Sequence, residues 1–237
     1  MTRADGRNAQ QLRPLKIQKT YLKNAHGSTL VCWGGTTVLC TAMYETGVPP
    51  FLENAGKGWL TAEYAMLPAS TPTRKPRETK RPDGRSTELG RLIGRSLRSA
   101  VDMALMPGFT IHIDCDVLDA DGGTRTAAIT GGYVALCECV DKMLQEGLII
   151  ESPVIRGVAA VSCGIVDGTC VLDLCYEEDS RAEADVNVVM SHDGGFIEVQ
   201  GTGEKRPVSP EELGELLGLA AHGINEIQKI QEDALHG

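Results

Sequence analysis

The chain has 237 residues, of which 42% are hydrophobic and 23% are charged, so it can bury a core and is neither disordered nor fibrous. Only 4% of the residues are aromatic, which disfavours a nucleic-acid site built from rows of stacked rings. The eight cysteines form no CxxC pair and predict buried, reduced thiols rather than a metal cluster. Residues 1–16 are polar and basic, and no apolar run approaches the roughly 20 residues that span a bilayer. These features predict a soluble, cytoplasmic protein with no membrane segment.

Basic residues are concentrated in two segments, although the formal net charge is −9. Residues 1–25 contain six Lys and Arg against one acid, and residues 74–98 contain nine against three. A basic segment in an acidic body favours a local anion site on the surface. A run of solvated charges explains the same pattern.

Apolar periodicity and turn signals predict several antiparallel hairpins and three long helices. Strands are expected at 15–22, 28–33, 36–43, 59–67, 109–117, 158–166, 169–176, 186–191 and 196–199. Helices are expected at 89–101, at 124–145 and from Pro210 to about Ala234, the last with a capping box of Ser209 and Glu212. Residues 69–84 are expected to form a loop. This order predicts an α/β fold of the α+β type, in which residues 1–237 form one compact β-α domain with mixed sheets and about three main helices.

A glycine-rich segment, DGGTRT at 121–126, lies between a predicted strand and a predicted helix. Paired glycines let backbone N–H groups approach an anion, and the helix N-terminus adds partial positive charge. Thr124 and Arg125 add a hydroxyl and a forked cation. The Walker A lysine and the GxGxxG spacing are both missing, so ATP and NAD are not indicated. The segment fits a phosphate-binding turn, and equally an ordinary strand-to-helix turn capped by Thr124.

Five carboxylates follow between residues 177 and 185. Carboxylates this dense repel one another, and Mg²⁺ or Mn²⁺ would relieve the repulsion and stabilise a phosphoryl transition state. Asp179 is expected at the exit of one strand and Asp185 at the beginning of the next, so both can converge at one end of a sheet. A solvated acidic loop is the alternative, whereas an EF-hand is disfavoured because its mid-loop glycine is absent.

Arginines of the second basic segment are further candidates for phosphate contacts. Arg74 and Arg77 lie in the predicted loop, where arginine can bind RNA phosphates without reading base sequence. Arg85, near the beginning of a long helix, can complete the phosphate site. Each can equally be a surface residue, and His112 and His192 are expected to be structural or surface histidines.

Several segments occur in a recognisable order along the chain. They are GWLTAEYAMLP at 58–68, GRS at 84–86, DCDV at 114–117, DGGTRT at 121–126, the acidic segment 173–185 and VQGTG at 199–203. Together they resemble the bacterial ribonuclease PH family, which is related to polynucleotide phosphorylase and to exosome ring subunits. The resemblance extends from Arg3 to the C-terminal helix.

The resemblance implies a phosphate-dependent 3′-to-5′ exoribonuclease, or tRNA nucleotidyltransferase, that trims the 3′ ends of tRNA precursors, with rRNA ends as further candidate substrates. Such an enzyme releases nucleoside diphosphates and can also run in the polymerising direction. Inorganic phosphate would be the co-substrate, Mg²⁺ or Mn²⁺ the cofactor, and the assembly a homohexameric ring made as a trimer of dimers. By motif, Arg85, Gly123, Thr124 and Arg125 would bind phosphate, Asp179 and Asp185 would serve the metal and the chemistry, and Arg74, Arg77 and Arg91 would lie near RNA.

Ala69 departs from the family pattern, because relatives usually carry arginine after the Leu-Pro pair, and the loop before Gly84 is slightly short. Both departures bear on RNA affinity rather than on phosphorolysis.

Two other functional classes remain open. A non-catalytic RNA-binding ring subunit is expected to lose the paired aspartates or the arginine of the glycine turn, and this chain keeps both. A metal-dependent phosphohydrolase would use the same carboxylates with water as nucleophile and would release monophosphates.

Overall fold

The computed structural model describes Arg3, residues 5–77 and residues 83–237. Within these residues, nine strands form two sheets, accompanied by three long helices and one short one. The predicted loop at 69–84 is described as far as Arg77, and residues 78–82 lie outside the described part. Across the described ranges, no helix combines the length and the apolar character that crossing a bilayer requires.

The first sheet contains five strands from the N-terminal half of the chain. They are β1 (Leu15–Lys19), β2 (Gly27–Trp33), β3 (Thr36–Thr46), β4 (Trp59–Met66) and β5 (Phe109–Asp119). Their order across the sheet is β1-β2-β3-β5-β4, antiparallel except for the parallel pair of β4 and β5. The predicted hairpin of β2 and β3 is confirmed, with Gly34 at φ +57° in the turn. A positive φ suits a two-residue hairpin turn, because such turns match the twist of the strands.

The long helices are α1 (Gly84–Arg98), α2 (Thr124–Gln145) and α4 (Pro210–His236), and α3 (Tyr176–Asp179) is a single turn. α2 has the predicted bounds, and α4 begins with the predicted capping box of Ser209 and Glu212. α1 begins earlier than predicted, because the Asp83 side chain accepts a hydrogen bond from the N–H of Ser86 at 2.6 Å and caps the helix. The predicted number of main helices is therefore confirmed.

The second sheet is entirely antiparallel. Its strands are β6 (Val158–Val166), β7 (Thr169–Leu172), β8 (Ala184–Ser191) and β9 (Phe196–Thr202), in the order β7-β6-β8-β9. The turn between β6 and β7 has φ +49° at Asp167 and +72° at Gly168. Positive φ at both central residues is the requirement of a type I′ turn, which the Asp-Gly pair predicts.

The strand predicted over residues 169–176 is wrong beyond Leu172. Asp173 adopts φ +56°, and its carboxylate accepts hydrogen bonds from the backbone N–H of Arg13 at 2.7 Å and the indole N–H of Trp33 at 3.0 Å. These contacts turn the chain out of the sheet, and it continues into α3. Asp179 therefore ends a helical turn rather than following a strand, whereas Asp185 lies at the second position of β8, as predicted.

α2 is the central element of the fold. It packs against β2 and β3 of the first sheet and against β6 of the second, and it is buried over most of its circumference. One hydrophobic cluster includes residues of both sheets and of α1, α2 and α4. The N-terminus of α2 consequently lies where the two sheets approach each other.

All eight cysteines carry free thiols, and five of them are buried. Cys139 faces the core while Cys137 is partly exposed, so the two point to different faces of α2. Burial raises the pKa of both thiols to about 12. The burial of most of the cysteines agrees with the prediction of buried thiols.

Candidate active site

A cleft of about 1240 Å³ opens at the N-terminus of α2, between the end of β5, α3 and the beginning of β8. Seven of the residues that the sequence singles out line it: Arg74, Arg85, Gly123, Thr124, Arg125, Asp179 and Asp185. They come from five separate parts of the chain. The fold therefore brings the candidate phosphate site and the candidate metal site into one cavity.

The glycine-rich turn begins α2 without a side-chain cap. Gly123, not Thr124, is the N-cap residue, at φ +65°, and among the described residues no side chain hydrogen-bonds to the free N–H groups there. The alternative interpretation, a turn capped by Thr124, is therefore wrong in its choice of cap residue. Gly122, at φ +76°, is needed for a further reason, since a Cβ there would come within 2.6 Å of the Leu174 carbonyl oxygen. This turn leaves backbone donors and a helix dipole directed at the cleft, which suits an anion.

Tyr64 holds the hydroxyl of Thr124. The Tyr64 Oη lies 2.9 Å from Thr124 Oγ1, and both residues are buried, at 4% and 8% exposure. Burial raises the pKa of Tyr64. Sequence reasoning missed this role, although Tyr64 is a buried residue of β4, a strand that packs against α1.

The two aspartates influence each other across the cleft. Asp179 is accessible from the cleft, but the surrounding protein partly desolvates it and raises the pKa of its carboxyl; Asp185 raises that pKa further, while Arg125 and Arg85 oppose the increase. Asn187 donates a hydrogen bond to Asp185 at 3.4 Å. The interaction with both arginines shows that the acidic pair and the candidate phosphate ligands share one electrostatic environment.

The acidic pair fits a magnesium ion that is shared with a substrate. In the described part of the chain, no group of three or more His, Cys, Asp or Glu side chains could hold a metal, so a metal site made only of protein ligands is not indicated. Mg²⁺ is commonly bound by one or two carboxylates, with water and substrate phosphates completing its shell. Burial and, after it, the charge of Asp185 raise the pKa of Asp179, and a divalent cation would relieve the repulsion between the two carboxylates.

The predicted RNA-contacting arginines do not all lie together. Arg74 lines the cleft, and the loop that carries it is fixed by a hydrogen bond from Lys75 N–H to the Pro68 carbonyl at 2.9 Å. Arg77 is exposed and is not among the residues that line this cleft. Arg91 lies on α1 and faces a second groove, over the outer side of the first sheet.

The N-terminal basic segment has a role that the sequence does not reveal. Arg3, Arg7 and Arg13 are 2%, 7% and 4% exposed, and they pair with Asp173 and Glu178. The expectation of a surface anion site does not hold for these three arginines. Their charges instead neutralise buried carboxylates beside the cleft, and local charge counting cannot distinguish the two cases.

The two histidines of interest lie outside the cleft. His112 is half-buried, and its ring lies 2.9 Å from the carboxylate of Glu45. His192 lies 3.3 Å from Glu232 of α4. Neither lines the cleft, which agrees with the structural and surface roles expected for them.

Solved structures with the same fold cover nearly the whole chain. The structure of Rrp46 from rice, Oryza sativa, is 23% identical and has a TM-score of 0.81, covering 99% of this chain and 100% of that one. A chain of the Archaeoglobus fulgidus exosome with RNA bound to the active site is 24% identical, with a TM-score of 0.83 and coverage of 96% and 91%. A chain of an archaeal exosome core is 22% identical, with a TM-score of 0.78 and coverage of 97% and 91%. At these identities the likeness establishes the fold.

The family assignment follows from sequence models of two successive regions. Residues 11–140, more than half of the chain, match domain 1 of the 3′ exoribonuclease family, RNase PH. Residues 158–223 match domain 2 of the same family. The first region supplies the glycine-rich turn and the arginines of the cleft, and the second supplies both aspartates. The chain therefore belongs to the RNase PH family of 3′ exoribonucleases.

Proposed function

We propose that this protein is a phosphate-dependent 3′-to-5′ exoribonuclease that uses inorganic phosphate to release nucleoside diphosphates from RNA 3′ ends. The observation that carries the proposal is the single cleft that holds Arg85, Thr124 and Arg125 together with Asp179 and Asp185. A reaction between two anions, phosphate and a phosphodiester, needs such a concentration of cations and backbone donors.

The arginines and the glycine-rich turn would hold the attacking phosphate. Arg125 offers a forked set of donors, Arg85 adds a second cation, and the N-terminus of α2 supplies backbone N–H groups. Thr124, fixed by Tyr64, adds a hydroxyl. Together they would orient a phosphate oxygen towards the terminal phosphodiester and reduce the repulsion between the two anions.

The chemistry is an in-line displacement at phosphorus. A phosphate oxygen bonds to the phosphorus of the terminal nucleotide, the bond to the 3′ oxygen of the preceding nucleotide breaks, and a proton is delivered to that oxygen. Asp179 and Asp185 would hold Mg²⁺, or alternatively Mn²⁺, which neutralises charge that develops on the phosphoryl oxygens. One of the two aspartates, Asp179 or Asp185, would deliver the proton to the leaving 3′ oxygen.

RNA would reach the cleft past the loop that carries Arg74. Ala69 is exposed in the same loop, so the contact that arginine would make there is absent. We assign the 3′ ends of tRNA precursors as the principal substrates, with rRNA ends as further ones. The active form would be a homohexameric ring, a trimer of dimers, which would place several such loops around a common RNA path.

A tailed tRNA precursor tests the proposal. Incubated with Mg²⁺ and phosphate, the tail should shorten one nucleotide at a time and shortening should stop near the mature end, whereas without phosphate the RNA should remain intact. A phosphohydrolase would shorten the RNA without phosphate and release monophosphates. A non-catalytic ring subunit would bind the RNA and leave it intact under both conditions. Native mass spectrometry of the same sample should give the mass of six chains.

A further inference from the structure

Three buried arginines precede β1, and two of them connect the N-terminal segment to the walls of the cleft. We infer that Arg13 and Arg3 are positioning residues with separate effects: Arg13 fixes the glycine-rich turn that would bind phosphate, and Arg3 fixes the helical turn that carries Asp179. The inference rests on the proposed function. It concerns which residues set the affinity of the cleft for phosphate and for the metal.

Arg13 connects the glycine-rich turn to a fixed point in the core. Its Nη2 lies 2.7 Å from a carboxylate oxygen of Asp173. The same guanidinium donates to the carbonyl oxygens of Asp121 and Gly122. A Cβ added to Gly123 would lie 3.0 Å from Arg13 Nη2, so the guanidinium packs directly against the turn.

Asp173 is the fixed point because several groups hold it at once. Its carboxylate accepts hydrogen bonds from the backbone N–H of Arg13 and from the Trp33 indole, in addition to the Arg13 guanidinium. Asp173 is 1% exposed and Trp33 is also 1% exposed. A carboxylate held by this many donors keeps its position. Arg13 is bonded to this carboxylate and to the turn, and it therefore holds the turn in place relative to the core.

Arg3 makes the equivalent connection to α3. Its Nε and Nη2 donate to the two carboxylate oxygens of Glu178, at 2.7 and 2.6 Å, and both side chains are 1% exposed. Arg3 also donates to the carbonyl oxygens of Leu172 and Asp173 at 2.7 and 2.9 Å. It therefore joins the end of β7 to α3 by a bidentate ion pair.

Glu178 immediately precedes Asp179 in α3. Its carboxylate also accepts a hydrogen bond from the N–H of Cys175, at 3.2 Å, and so caps this helix. A helix of four residues has little stability of its own. The bidentate pair with Arg3 consequently fixes the direction in which Asp179 faces the cleft.

Lysine substitutions separate the two effects because lysine keeps the positive charge but lacks the paired N–H donors of the guanidinium. Arg13→Lys can still pair with Asp173 but cannot also hold two carbonyl oxygens of the turn. Arg3→Lys can still pair with Glu178 through one contact. Arg7→Lys is the matched control, since Arg7 is buried in the same group of charges and contacts Asp173 and Glu178, but it donates to neither Asp121 nor Gly122.

The primary measurement is calorimetric titration of inorganic phosphate into each folded protein without RNA or metal. Arg13→Lys should weaken phosphate binding about tenfold, the effect expected from losing charge-assisted hydrogen bonds that hold the site. Arg3→Lys and Arg7→Lys should bind phosphate within about twofold of the wild type. In the RNA assay, Arg3→Lys alone should raise the Mg²⁺ concentration for half-maximal rate, again about tenfold.

Circular dichroism establishes that each variant is folded before it is compared. Should Arg13→Lys fail to fold, Trp33→Phe removes a different donor to Asp173 and should weaken phosphate binding in the same direction. Should Arg3→Lys fail to fold, Glu178→Gln keeps the acceptor for Cys175 and removes the charge pair.

Three outcomes overturn the inference without touching the proposed function: phosphate binding unchanged in Arg13→Lys, equal changes in all three lysine variants, or an unchanged Mg²⁺ requirement in Arg3→Lys. Failure of the proposed function has a different signature. In that case the wild-type protein itself releases no nucleoside diphosphate. The phosphate titrations of the wild type and of Arg13→Lys can still be compared, and they still report whether Arg13 sets the affinity of the cleft.

Discussion

The hydroxyl of Tyr64 lies 2.9 Å from the hydroxyl of Thr124, which joins the edge strand β4 to the first turn of α2 behind the cleft. This hydrogen bond links two elements that are 60 residues apart in the chain. It fixes the rotamer of a threonine whose oxygen would face the bound phosphate.

Tyr64→Phe should therefore weaken phosphate use without changing the fold. The free energy of unfolding should fall by about 1 kcal/mol, the usual net contribution of one buried hydrogen bond. The KM for phosphate should rise several-fold because Thr124 is free to rotate. Tyr44→Phe is the control: its hydroxyl contacts Glu146 near the end of α2, away from the cleft, and its KM should stay at the wild-type value. Equal KM values in Tyr64→Phe and the wild type would show that the hydrogen bond between Tyr64 and Thr124 does not contribute to phosphate binding.

Asp179→Asn and Asp185→Asn should each abolish most turnover and leave RNA binding intact. In the proposed mechanism the carboxylates lie beside the scissile phosphodiester and carry charge of the same sign as RNA, so their removal should not weaken RNA binding. We expect a loss of roughly 10²-fold or more in rate, as for other electrostatic elements of active sites. Glu177→Gln, on the same short helix but absent from the lining of the cleft, should retain the wild-type rate. Single-turnover assays and filter binding measure the two quantities, and near-normal rates in both aspartate variants would contradict the assignment.

The fold predicts that the ionised side chain of Asp179 lowers the free energy of unfolding at neutral pH when no metal is present. Burial and Asp185 raise the folded-state pKa of Asp179 above its ordinary value of 3.8. For an acid with a raised folded pKa, ionisation destabilises the folded state at pH values above that pKa, and the effect disappears as pH falls below the unfolded value. Asp179→Asn should therefore raise the Tm of the metal-free protein at pH 7 but not near pH 3.5. A Tm difference of the opposite sign at pH 7 would contradict the raised pKa.

Arg125→Ala removes one forked cation from the cleft. Degradation at limiting phosphate and synthesis from nucleoside diphosphates should slow together, since both directions pass through the same transition state. Arg95→Ala is a suitable comparison, because Arg95 is an exposed α1 residue paired with Glu198 and lies outside the cleft. If the two variants behave alike at limiting phosphate, the glycine-rich segment is an ordinary turn.

RNA affinity should depend on salt chiefly through residues near the cleft opening. Arg74→Ala should reduce the slope of log K against log[salt] by about one unit, and Ala69→Arg should increase it by a similar amount, since each phosphate contact contributes about one unit. Arg91→Ala should have a smaller effect, because Arg91 faces the groove on the outer side of the first sheet. The slopes are obtained by titrating short and long tailed RNAs across a salt series. Identical slopes for the wild type and Ala69→Arg would place this loop away from the RNA path.

The fold and part of the site could be predicted because they depend on local patterns. The alternation along β5, the Asp167-Gly168 turn and the capping box at Ser209 each follow from residues close together in the chain. The strand expected through Tyr176 was wrong, because a tertiary contact decides the conformation there: Asp173 is turned out of the sheet by donors about 140 to 160 residues away.

The same limit applies to the cleft. The chemistry of Arg125 and Asp179 can be inferred from their residue types and from family motifs. The supporting contacts of Tyr64, Arg3 and Arg13 cannot, because each depends on a partner brought near only by folding. Charge counting found the basic N-terminal segment but could not tell buried ion pairs from a surface site. Whether residues 1–237 act as a single domain stays a prediction, although one hydrophobic cluster includes residues of both sheets.

The central claim is that inorganic phosphate is the nucleophile, and the most direct test follows a ³²P label from phosphate into the released nucleotides. Wild-type protein is incubated with a short 3′-tailed RNA, Mg²⁺ and ³²P-labelled phosphate, and the released nucleotides are separated and treated to cleave their β-phosphates. Phosphorolysis predicts nucleoside diphosphates with all of the label at the β-position, in amounts equal to the nucleotides lost from the RNA. Unlabelled nucleoside monophosphates, or RNA that stays intact at saturating phosphate and Mg²⁺, would contradict it.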